Sequence, residues 1–242
     1  MKNLSNIKSQ EQIPLEFSNI ETKSELKFGI IGSNHETLDA AKKFILSRNV
    51  KTKSFILWGN EASGKSFWLK AWANEFPYSN YYNLKKDILT QNKKQQILFL
   101  DNLDKASKKN QLSILKLFNM EQYWHIKIFG STSITLNAIE NLNLRDDLLT
   151  RLKQGLIFKL NPLSDNEKKD ALKSYIFSFG WLSDKSDKKF DALIDFMLER
   201  FPRKLPMLKL ILFNTNLYAI NNKSPVTIPL IKFIMEKMIN EK

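Results

Sequence analysis

Short apolar runs alternate with stretches of helical period along the first two thirds of the chain, and the last third is helical in pattern throughout. After a turn at Gly32-Ser33-Asn34, the apolar positions Leu38, Ala41, Phe44 and Ile45 recur at helical spacing and predict a helix over 35–49. An apolar run at 54–58 leads into a glycine loop and then a helical stretch over 65–74, a strand–loop–helix unit. A second strand is predicted at 80–84 and a third at 97–100, the latter continuous in apolar residues as in a strand buried on both faces. Leu112, Leu115 and Phe118 mark a helix over 111–120, followed by a strand at 126–129, a short helix at 146–152 and a fifth strand at 155–160. Strands alternating with helices imply a parallel five-stranded sheet flanked by helices, an α/β domain over 27–161.

Asn161-Pro162 breaks that pattern. Ser164-Asp165-Asn166-Glu167 has the form of a capping box, in which serine and the glutamate three residues on satisfy each other's backbone N–H groups. Helices are predicted at 165–179, 187–200, 203–220 and 226–240, so residues 162–242 read as a small all-helical lid domain. Residues 1–26 read as a flexible leader with one apolar island at Ile13 to Phe17.

The composition, 43% hydrophobic and 12% aromatic over 242 residues, is that of a globular chain with a sizeable core. The longest apolar runs, such as 97–100 and 210–213, are too short to span a bilayer, and the polar start carries no secretory signal. Cysteine is absent and histidine occurs twice, which argues against disulfides and zinc. These features predict a cytoplasmic protein with no membrane partner. The net charge of +13 is compatible with a DNA-facing surface, but 33 of the 38 basic residues are lysine, as a lysine-rich composition alone would give. Each of the five arginines therefore merits attention, because arginine recognises phosphate bidentately.

Gly59-Asn60-Glu61-Ala62-Ser63-Gly64-Lys65-Ser66 matches G-x-x-x-x-G-K-[ST] at every fixed position, between a predicted strand and a predicted helix. The glycines free backbone N–H groups to wrap phosphates, Lys65 supplies charge to the β/γ oxygens, and the Ser66 hydroxyl is a Mg2+ ligand. The run Ile97-Leu98-Phe99-Leu100-Asp101 ends in the carboxylate expected to hold Mg2+ with Ser66. Asn102 follows, an amide that cannot take a proton from attacking water, which predicts weak or no intrinsic ATP hydrolysis. Ser131, after the strand at 126–129, has two readings, a polar group facing the γ-phosphate or ordinary turn chemistry. Arg151 likewise is either an arginine finger for a neighbouring subunit's nucleotide or the partner of Asp147 one helical turn away. Arg203, opening a helix of the small domain, suits a group reaching the nucleotide phosphates. In the leader, Gln12, Leu15 and Phe17 form Q-x-x-L-x-[FL], an extended peptide with two apolar anchors and a glutamine that fixes register.

These motifs together resemble the AAA+ family of DnaA regulatory inactivators known as Hda. The likeness runs through F-G-I-I-G-S-N-H-E-T-L over 28–38, L-F-L-D-N-L around Asp101, D-L-L-T-R-L over 147–152 and L-N-P-L-S-D-N-E-K over 160–168. It implies a P-loop AAA+ fold with a helical lid, ADP or ATP with Mg2+ as cofactors, and Ile31 on the adenine side of the site. It also implies a sliding-clamp contact through Gln12, Leu15 and Phe17, a nucleoid association through that clamp, and Arg151 acting in trans on ATP held by the initiator DnaA. The protein would then be a negative regulator of replication initiation. Ser131 departs from the family, which carries an acidic residue there. DnaA itself continues into a helix-turn-helix domain, whereas the resemblance here ends with the lid. The alternatives are an initiator-like factor recruiting partners to DNA and an autonomous AAA+ ATPase of the helicase-loader type. Self-association and non-specific DNA contact stay open.

Overall fold

The computed structural model describes residues 29–47, 52–90, 94–136, 143–184 and 186–240. Five parallel strands, β1 (Ser54–Trp58), β2 (Ser79–Asn83), β3 (Ile97–Asp101), β4 (Lys127–Thr132) and β5 (Leu156–Lys159), form one sheet in the order β2-β3-β4-β1-β5. Between them lie α1 (His35–Leu46), α2 (Lys65–Glu75), α3 (Lys108–Asn119) and α4 (Asp146–Lys153). The inner strands read as unbroken apolar runs because both their faces are covered. Phe55, Leu57, Phe99 and Phe129 pack with α1 and α2 on one face, and Ile56, Leu98, Leu100 and Ile128 pack with α3 and α4 on the other.

The first face is mostly aromatic. Phe55 stacks on Phe129 at 4.8 Å and on Phe158 at 5.1 Å, with Trp72 of α2 against Phe129 at 5.1 Å. This rigid bed fixes the height of α2, the helix that opens with Lys65. Lys127, inside β4 and buried, aims its ammonium at the last carbonyls of α1, donating to Phe44 O at 2.8 Å and also to Ser47 O. A cation is favoured at that end of a helix, where carbonyls lack partners.

The strand at 126–129 in fact runs from Lys127 to Thr132, so Ser131 and Thr132 are paired strand residues and not a turn. The apolar run stops at Phe129, which is why its polar continuation was invisible to hydropathy. Likewise α3 begins at Lys108, capped by Ser107, whose hydroxyl accepts Asn110 N–H at 3.2 Å.

A compact unit extends to Lys168, and a second one takes over at Lys169. In the second, the greater part of α5 (Asp165–Ser178) joins α6 (Asp191–Arg200), α7 (Leu205–Asn221) and α8 (Ile228–Asn240) around Leu172, Ile176, Met197, Leu208, Ile211 and Ile231. No strand returns there among the described residues.

Candidate functional site

Because all five strands are parallel, their carboxyl ends share one edge of the sheet, the edge where open α/β sheets hold ligands. The Gly59–Ser66 loop leaves β1 there, Asp101 and Asn102 end β3, and Ser131 nears the end of β4. The loop needs left-handed backbone at Ala62 (φ 63°) and Gly64 (φ 100°), and it presses so closely on the strand beside it that a Cβ on Gly59 would lie 2.4 Å from Leu160 O. Gly64 caps α2, whose free N–H groups point into the loop. Lys65 folds back to donate to Gly59 O at 2.7 Å and Asn60 O at 2.9 Å, and burial lowers its pKa against the opposing charges of Asp101, Asp104 and Glu61. Ser63 is buried, and Asn60, Glu61, Ala62 and Ser66 are exposed.

Side-chain alternation puts Tyr81, Asp101 and Ser131 on the α2 face of three adjacent strands. Asp101 is buried at 2% exposure, and among the described residues every donor to it belongs to this row or to its own turn. Its Oδ2 accepts the Tyr81 hydroxyl at 2.8 Å, and its Oδ1 accepts the Asn102 N–H at 3.1 Å and the Ser131 hydroxyl. Ser131 Oγ in turn accepts the Asn102 N–H at 3.0 Å. Burial, followed by the nearby Asp101 charge, raises the Tyr81 pKa, so the phenol stays a donor. Asn102 sits in left-handed backbone at φ 59° and spends its side-chain N–H on Asn83 Oδ1 at 3.0 Å.

An oxygen pair of one hydroxyl (Ser66) and one carboxylate (Asp101) fits a hard cation that takes its remaining ligands from water and phosphate. Among the described residues no cluster of three or more His, Cys, Asp or Glu offers a self-sufficient metal site. The Ser66–Asp101 pair would hold the ion only together with a nucleotide.

Ile31 is exposed in the segment ahead of α1, next to the Gly32–Asn34 turn. That turn is clasped to the strand exit at Leu160. Asn34, buried, exchanges hydrogen bonds with Asn161 (3.1 Å to its O, 2.8 Å from its N), and Ser33 N–H donates to Glu167 Oε1 at 2.8 Å. Glu167 also closes the capping box, accepting Ser164 N–H at 2.6 Å while Ser164 Oγ accepts Glu167 N–H at 3.3 Å.

Arg151 lies at the other edge. It sits on α4 just before β5, whose first residue pairs beside the start of β1. The four steps along the five residues of β1, ~3.3 Å each, separate that edge from the loop by roughly 13 Å. Arg151 is exposed and lines a cleft of about 370 Å³ with Lys53, Phe118, the half-exposed Trp124 and Gln154. The ion pair considered for it with Asp147 does not form. Arg145 takes both Asp147 oxygens, at 3.1 and 2.8 Å, because Asp147 faces back along the first turn of α4. Arg203 does not open a helix. It stands exposed in the loop ahead of α7, which starts at Leu205 with Pro206 in its first turn. Gln12, Leu15 and Phe17 fall outside the described residues.

The sequence reading missed Tyr81, the Asn34–Asn161 exchange and the second partner of Glu167. Only Tyr81 left a signal, a tyrosine inside the strand predicted at 80–84.

A parallel five-stranded sheet with a phosphate-loop motif after an inner strand, flanking helices and a helical C-terminal region is the α/β fold of AAA+ proteins. The chain is similar in structure to domain III of the Thermotoga maritima replication initiation protein DnaA, with a TM-score of 0.67 and 15% identity, over 87% of this chain and 95% of that one. AMPPCP-bound DnaA from Aquifex aeolicus gives a TM-score of 0.57 at 19% identity, over 77% of this chain and 64% of that one. A RuvB variant from Thermotoga maritima gives 0.54 at 15%, over 86% and 67%. In sequence, the chain is 27% identical to an uncharacterized protein of Haemophilus influenzae, over 93% of this chain and 98% of that protein. No family model matches the chain. Among the described residues no helix is long and apolar enough to cross a membrane.

Proposed function

We propose that the chain is a DnaA-related regulator that binds ADP or ATP in the Gly59–Ser66 loop with Mg2+ at Ser66 and Asp101, hydrolyses it weakly or not at all, and promotes hydrolysis on a neighbour. The observation that carries this reading is the position of Arg151: exposed, without an ion pair among the described residues, and at the sheet edge away from its own loop. A cation so placed serves a phosphate brought by another molecule. DnaA is the neighbour of choice because the sequence motifs resemble its regulatory inactivators, and two of the similar structures are DnaA itself. Asn102 fits the same reading, since a protein that acts on a partner's nucleotide has no use for a base of its own. In this reading Gln12, Leu15 and Phe17 tether the protein to the sliding clamp, Ile31 borders the adenine, and Arg203 approaches the phosphates.

The test measures hydrolysis of ATP pre-bound to DnaA, with and without this protein and DNA-loaded clamp. Acceleration that requires the clamp is expected, and Arg151→Ala should lose most of it while keeping nucleotide and clamp binding. An arginine supplied in trans is worth ~10³–10⁵ in rate, so the difference is large. Full stimulation by the alanine variant would refute the role. No stimulation by the folded, nucleotide-bound wild type would favour a DNA-recruiting or motor function instead.

A further inference from the structure

The carboxylate at the end of β3 is nearly used up by the protein itself. A carboxylate offers about four acceptor sites on its two oxygens. On Asp101, Oδ1 takes the Ser131 hydroxyl and the Asn102 N–H, and Oδ2 takes the Tyr81 hydroxyl at 2.8 Å. About one site is left, and it is on the oxygen that Tyr81 already holds. No hydrogen bond links Ser66 to Asp101 among the described residues, so the two groups expected to share a metal are not coupled through one another. Tyr81 is held in place from both sides, by the aromatic face it shares with Phe99 and by the Lys70 ammonium 5.5 Å from its ring centre.

We propose that Tyr81 is a positioning residue that competes with the water shell of Mg2+ for Asp101, so that this site retains nucleotide with little help from the metal. The inference rests on the nucleotide-binding reading of the Gly59–Ser66 loop and adds a regulator to it. Coordination through water requires a carboxylate that can accept hydrogen bonds, and each one that Tyr81 occupies weakens the ion's hold. Lys65 and the amides of the loop then carry the phosphates, and the ligand is held as a fixture rather than turned over. Asn102 removes the base and Tyr81 weakens the metal, two independent brakes on the same reaction.

The experiment compares ADP affinity, by calorimetry, at millimolar Mg2+ and in EDTA, for the full-length protein and for Tyr81→Phe. The phenylalanine ring suits the aromatic face, and equal melting temperatures confirm that the variant folds. The wild-type ratio of affinities should lie within about threefold of unity. Tyr81→Phe should raise the Mg2+-supported affinity about tenfold, ~1.4 kcal/mol, and leave the EDTA value unchanged. Ser131→Ala, which frees a site on the other oxygen, should move the ratio in the same direction. An unchanged ratio in Tyr81→Phe overturns the proposal. So does a fall in Mg2+-supported affinity, which would mean the phenol orients Asp101 for the metal. Wild-type protein that binds no ADP in either buffer would instead refute the loop assignment beneath it, so the two failures are distinct.

Discussion

Replacing Glu167 by alanine should loosen two pieces of structure at once, the start of α5 and the turn ahead of α1. The carboxylate accepts Ser164 N–H at 2.6 Å, Ser164 Oγ–H at 2.8 Å and Ser33 N–H at 2.8 Å. It sits so tightly on the turn that a Cβ at Gly32 (φ +45°) would lie 1.6 Å from Oε1. Loss of a helix cap of this kind costs ~1 kcal/mol. The Ser33 bond adds about 0.5 kcal/mol, at the low end for a hydrogen bond because water can replace it at this exposed site. A total near 1.5 kcal/mol should lower the melting temperature by roughly 3–6 °C for a chain of this length. Glu167→Gln keeps the acceptor without the charge and should lose about half as much.

The pH dependence supplies a second check. The Ser164 N–H and hydroxyl, and then the Ser33 N–H, hold the Glu167 carboxyl below its usual pKa. Its stabilisation is therefore fully present above the unfolded value near ~4.3 and fades as pH falls through the lower folded value. Thermal unfolding followed by circular dichroism at neutral pH and in acid reads both effects. A Glu167→Ala protein that melts within about half a degree of wild type at pH 7 would refute the clasp, as would a gap between wild type and Glu167→Gln that stays constant into strong acid.

Two further outcomes follow from the loop and from the far edge. Lys65→Ala removes the one side-chain cation of the phosphate loop and should abolish nucleotide binding, and unchanged ADP affinity by calorimetry would sink the site assignment. Lys53 donates to Tyr123 O at 2.8 Å, and burial lowers its pKa to about 8. The unfolded chain then binds more protons between about pH 8 and 10.5, so stability should rise with pH across that window. Since Lys53 is only half-buried, the gain is on the order of 1 kcal/mol. Lys53→Met should flatten that rise in denaturant titrations, and an identical pH profile would show that the ammonium is better solvated than its position implies.

The number and parallel type of the strands were legible because most are short, apolar and bounded by turn residues, and the helices between them carry their period in the open. The Gly59–Ser66 motif was legible for a similar reason: it is local, fixed by eight consecutive residues. What was hidden depended on register. Strand β4 continues through Ser131 and Thr132 because those residues pair with Leu57 and Trp58 of β1, a partner that hydropathy along one segment does not reveal. The hold of Tyr81 on Asp101 requires knowing that β2 and β3 align Tyr81 with Phe99. Spacing pointed to Arg151 as the partner of Asp147, one helical turn away. The extended backbone of Arg145 at the N-cap of α4 instead brings its guanidinium onto both Asp147 oxygens. Glu167 was read as a cap from its local sequence, but its bond to Ser33, 134 residues away, belongs to the tertiary fold.

In the proposed reading, the two edges of the sheet separate holding a nucleotide from acting on one. Parallel pairing sends every strand's carboxyl end to the same side, so the loop, Asp101 and Ser131 meet without any long-range accident of packing. The same rule sends α4, which precedes β5, to the opposite side, and Arg151 with it. The arginine therefore lies at the edge of the sheet opposite its own Gly59–Ser66 loop. On the roles proposed for Asn102 and Tyr81, weakening chemistry at one edge leaves the other edge untouched. With the roles proposed for Asn102 and Arg151, loss of self-hydrolysis and retention of an activating arginine can be acquired independently within a single sheet of this fold.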